Sequence, residues 1–110
     1  MAFSQLFAFR SVLDRTAEMA ERVAGRSRMA VWQRVKDGLG TLAPLEARGY
    51  IRARAASVVK EETCRLIDQE GAKVARQRAR IEAAAIESLI ATMVGHAGPR
   101  HALAAARRAA

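Results

Sequence analysis

The sequence holds one cysteine, two prolines and few aromatic rings: one tryptophan, one tyrosine and three phenylalanines, 5% of the chain. A lone Cys64 excludes an intrachain disulfide and points to a reducing compartment, so the expected location is the cytoplasm. The longest charge-free run, residues 88–99, falls well short of the ~20 apolar residues that a membrane span needs. Residues 1–9 carry no cation ahead of their apolar positions, so no secretory signal is expected. With Pro44 and Pro99 as the only prolines, long stretches are free to be helical.

What is present is alanine, arginine and aliphatic side chains, with hydrophobic residues making 51% of the 110 positions. That length suits one domain. Alanine favours helix but buries little area, so the expected core is thin and invites long helix–helix contacts or a partner chain. The net charge is +8. It is spread along the chain, with only the C-terminal stretch holding cations and no acid. Such a chain is drawn to polyanions at low salt. An arginine-rich composition inherited from a GC-rich genome accounts for the same numbers.

Periodicity predicts an all-α fold with no β-sheet: an extended helical hairpin or small bundle with one long C-terminal helix. The first helix is expected over about residues 4–24, with Leu6, Leu13, Ala17, Ala20 and Ala24 on one stripe. Arg10/Asp14 and Glu18/Arg22 stand at the i,i+4 spacing of a solvated face. Gly25 and Ser27 predict an interruption, with Ser27 capping a short helix over 28–37 that buries Met29, Trp32, Val35 and Leu39. Two glycines and Pro44 within residues 38–44 predict a chain reversal, and Pro44 suits the first turn of the next helix.

From 44 to 94 two stripes follow one another. Ile51, Ala55, Val58, Val59 and Leu66 form the first; Val74, Ile81, Ala85 and Leu89 form the second, rotated around the axis. Gly71 lies between them. Nothing after it resembles a side-chain N-cap, which favours one long, bent helix of about 75 Å over a turn at Gly71. Gly95, Gly98 and Pro99 are expected to end the helical domain of residues 1–99 and leave 100–110 as a frayed cationic tail. Helices of such unequal length cannot cover a single long one, and that mismatch predicts association.

Residues that do covalent chemistry are not gathered anywhere. His96 and His101 share no helical face, Cys64 is far from both, and no Glu-x-x-His pair exists, so neither metal nor cofactor is expected. Gly38 and Gly40 lack the third glycine and preceding strand of a phosphate loop. The carboxylates follow surface-helix spacings, as in Glu61 with Arg65. The chain therefore reads as no enzyme and without a small-molecule substrate.

The expected function is a non-catalytic helical structural or assembly subunit that packs in a homo-oligomer or larger complex. Its expected protein interface is Leu6, Leu13, Val58, Leu66, Val74, Ile81, Ala85 and Leu89, with Arg78 on the same side as a snorkelling or interface arginine meeting Glu62. The alternative is non-specific nucleic-acid binding through arginine ridges: Arg52 and Arg54, then Lys73, Arg76 and Arg80, then Arg107 and Arg108 of the tail. No groove-reading motif or stacking aromatic accompanies them. A membrane surface is a poor partner, because Asp14, Glu18 and Glu21 nearly neutralise the polar face of the first helix.

Overall fold

The computed structural model describes the backbone of residues 2–109 and the side chains of residues 15–95. It is all-α: α1 (Ala2–Leu39), α2 (Pro44–Glu70), the single turn α3 (Ala72–Ala75) and α4 (Arg78–Ala109), with no strand among the described residues. The three long helices all touch one another. Arg22 meets Glu70, and Arg34 meets Ser57, so α1 and α2 run antiparallel. Arg78 meets Cys64, and Arg52 meets Glu87, so α4 returns antiparallel to α2. The result is an up-down-up bundle.

The expected interruption at Gly25 is absent, and α1 continues through it. A mid-helix glycine costs about 1 kcal/mol relative to alanine. Here it sits exposed beside buried Val23, Ala24 and Val31, whose packing holds the backbone helical. Ser27 consequently faces the core at 0% exposure rather than capping anything. Its Oγ has no hydrogen-bond partner, a cost of about 1–3 kcal/mol. Continuity also resets the phase: Met19, Ala20, Val23, Ala24, Val31, Val35 and Leu39 form the buried stripe. Ala17 is exposed, and Met29, expected inside, points outward with 70% of its surface free.

The reversal at 38–44 is as the glycines and proline predict. Thr41 Oγ1 donates to the Gly38 carbonyl at 3.2 Å, and the Leu42 amide donates to Leu39 at 3.3 Å. Pro44 occupies the first turn of α2, and Glu46 lies near its positive end.

The single long helix is overturned at Gly71. That residue has φ +90° and ψ −165°, a region that side-chain-bearing residues almost never adopt, and α2 stops before it. Its amide closes α2 by donating to the Ile67 carbonyl at 2.8 Å. Its own carbonyl then accepts from Val74 and Ala75, so a main-chain group starts α3 where no capping side chain exists. The turn folds the second stripe back on the first. The length mismatch that predicted a partner thereby disappears.

At the other end α4 runs through Gly98 and Pro99 to Ala109, where an earlier stop is expected.

Candidate functional site

The predicted interface residues divide into two groups. Val58, Leu66, Val74, Ile81, Ala85 and Leu89 all lie in the core made by the chain's own helices. The seam they form is intramolecular, because the Gly71 turn lets α2 and α4 cover each other. They are therefore not a free surface for a partner. The side chains of Leu6 and Leu13 lie outside the described residues.

Arg78 is corrected in its partner. Its Nε donates to Glu82 at 3.2 Å and its Nη2 to Cys64 Sγ at 2.7 Å, while Glu62 accepts from Arg65 at 2.9 Å. The Glu82 hydrogen bond, aided by the Cys64 sulfur, raises the guanidinium pKa above its ordinary value. This group remains cationic at any accessible pH.

Of the predicted polyanion ridges, the α2 cluster is largely engaged. Arg52 and Arg48 both reach Glu87, at 2.8 and 3.2 Å. The hydrogen bond from Arg52 holds the Glu87 carboxyl below its usual value; partial desolvation opposes this, and the charges of both arginines add to it. Arg54 lies over the Tyr50 ring, 3.5 Å from its centroid, a cation–π contact. The side chains of Arg107 and Arg108 lie outside the described residues.

The remaining ridge is divided by the fold. Lys73 belongs to α3 and Arg76 to the link beyond it, whereas Arg80 lies in the first turn of α4. Lys73 and Arg76 border a recess of about 380 Å³, and Arg80 does not. Across the recess stands Arg15 of α1, which the sequence did not single out. The floor is Met19, Val74 and Ile81; Thr16 and Gln77 complete the lining, and no carboxylate is among these residues. Among the described residues none of the three cations has an ion-pair partner. Lys73 and Arg76 are neighbours by spacing, so half of this grouping is legible in the sequence. Arg15 joins them only through the packing of α1 against α4.

The described residues contain no group of three or more His, Cys, Asp and Glu placed to hold a metal ion. Among them, no helix is long and apolar enough to cross a membrane. Comparison with known protein families, curated proteins and solved structures yields no match.

Proposed function

We propose that this protein is a non-catalytic helical assembly subunit, a self-contained three-helix module that joins a larger complex through its charged surface. The observation that carries the reading is an imbalance of pairing. Arg15, Arg28, Lys36, Lys60, Lys73, Arg76 and Arg80 are exposed and have no ion-pair partner among the described residues. The acids Glu61, Glu62, Glu70, Glu82 and Glu87 are each held by an arginine, and Glu18, Glu21, Asp37, Glu46 and Asp68 have no ion-pair partner among the described residues, so the unpaired cations outnumber the unpaired acids. A surface left cationic in this way suits an acidic partner, and electrostatic complementarity would govern its encounter rate and orientation. The apolar stripes of the described residues are used up inside the chain, so self-association through them is not part of the proposal.

The second reading is nucleic-acid binding without sequence preference, favoured by the same free cations. It lacks stacking support among the described aromatic residues: Tyr50 is already covered by Arg54, and Trp32 packs against the core. The native species isolated from host cells separates the two when its mass is measured together with its 260/280 nm absorbance ratio. A complex with the absorbance of protein, insensitive to nuclease and weakened by salt, is the expected result. A nuclease-sensitive species with nucleic-acid absorbance would replace the first reading by the second.

A further inference from the structure

We propose that the outer face of α1 around Met29 is the docking surface of this subunit, and that its occupant is an acidic amphipathic helix of another protein. The proposal rests on the assembly reading and names the surface and the partner's chemistry. Gly25, Met29, Trp32 and Lys36 stand four, three and four residues apart, so they share one stripe of α1. That stripe is turned away from the buried one of Val23, Ala24, Val31 and Val35. Met29 has 70% of its surface free, one of two large hydrophobic side chains so exposed among the described residues. Gly25 is exposed, and a Cβ there would meet nothing within 4 Å. The chain's own packing thus makes no use of the missing side chain, whereas a second helix could bring its backbone close at that point.

Charge selects the occupant. Residues 22–36 contain four arginines, one lysine and no acid. Arg22 is neutralised by Glu70, but Arg26 and Arg34 meet the neutral Gln69 and Ser57. Arg28 and Lys36 have no ion-pair partner among the described residues. By helical spacing Arg26 and Arg28 flank the stripe on its two sides. A helix with an apolar ridge could lay that ridge along Gly25 and Met29, while carboxylates on its flanks take the forked guanidinium groups. Methionine adapts to such a ridge, and methionine and arginine are both enriched in protein interfaces. A second copy of this chain fits badly, because two acid-free stretches would face each other. A nucleic-acid backbone would engage the cations but set solvated phosphates over Met29.

The test titrates the whole protein, labelled at its methionine methyls, with three probes in moderate salt. They are a synthetic glutamate-rich helix with a leucine stripe, a scrambled peptide of the same composition, and a DNA duplex. Met19 and Met93 are buried and serve as internal references by NMR. The striped peptide should shift the Met29 methyl saturably and bind at least tenfold more tightly than the scrambled one. Gly25→Leu, which closes the notch, and Met29→Gln, which removes the apolar contact without changing charge, should each weaken it several-fold. Arg28→Glu should weaken it at least tenfold, and Lys73→Glu, an equal charge change on α3, should do far less. All four positions are exposed, and circular dichroism verifies the fold of each variant. The proposal is overturned if the Met29 methyl does not move, if the scrambled peptide binds equally well, or if the duplex is the tightest ligand at Met29. Equal weakening by Lys73→Glu would also overturn it, by revealing general charge attraction. In host cells, a native protein complex unaffected by Gly25→Leu with Met29→Gln would keep the assembly reading and overturn this surface. A free chain or a nuclease-sensitive species there would overturn both.

Discussion

Tyr50 of α2 lies so close to Gly38 of α1 that a Cβ at position 38 would collide with the phenol's Oη and Cζ. The ring cannot swing away freely, because Arg54 covers it and it packs against the core. Two opposing effects thus meet at Gly38. Alanine there would gain about 1 kcal/mol in helix propensity, while the overlap would cost about 1–3 kcal/mol. Gly38→Ala should therefore be neutral to destabilising in the natural chain. In a Tyr50→Leu background it should stabilise by up to about 1 kcal/mol. Urea denaturation of the four proteins of this cycle checks it, and additive effects would show that the two residues do not compete for space.

Gly71→Ala should be the most informative backbone substitution. Its φ of +90° and ψ of −165° make any side chain unfavourable by about 1–3 kcal/mol. The strain could be relieved by running α2 into α4 as one helix, which would expose both stripes. The variant should therefore lose stability as a monomer and form an exchanged dimer at high concentration. A stabilised monomer would contradict the role given to Gly71.

Ile81→Asp should unfold the chain. Ile81 is fully buried, and an unpaired carboxylate there would cost about 4 kcal/mol or more, a large part of a small domain's stability. Loss of the cooperative melt by circular dichroism is the expected readout. A folded variant with altered native mass would instead place Ile81 at an interface between chains.

Glu87 supplies a pH dependence with a definite sign. Its folded carboxyl lies below its unfolded value. The stabilisation is therefore present above the ordinary carboxylate range and is lost as pH falls through the lowered folded value. Glu87→Gln should melt slightly below the natural chain near neutrality, with the difference fading in acid. The group is about half exposed, so the effect should be small and sensitive to salt. A difference that grows toward acid would reverse the assignment.

Helical class and the α2 and α4 stripes were legible because burial at helical spacing leaves its mark in Ile51, Leu66, Ile81 and Leu89. Two glycines misled in opposite directions. Gly25 reads as a break, yet flanking core contacts carry the helix through it. Gly71 reads as a bend, because its turn uses main-chain bonds and a glycine-only conformation rather than a capping side chain. Misreading Gly25 turned Met29 inward; misreading Gly71 turned an internal seam into a surface for a partner. The recess was only half legible, since Lys73 and Arg76 are local neighbours whereas Arg15 comes from a helix distant in sequence.

One chain completes its own core among the described residues, and that is the basis of the proposed single-chain module. Sedimentation equilibrium of the isolated protein, from micromolar to near-millimolar concentration and in moderate salt, tests that claim most directly. The mass of one 110-residue chain is expected throughout, with helical content independent of concentration. A dimer or larger species whose dissociation melts the helices would show that the core is completed between chains, and would contradict it.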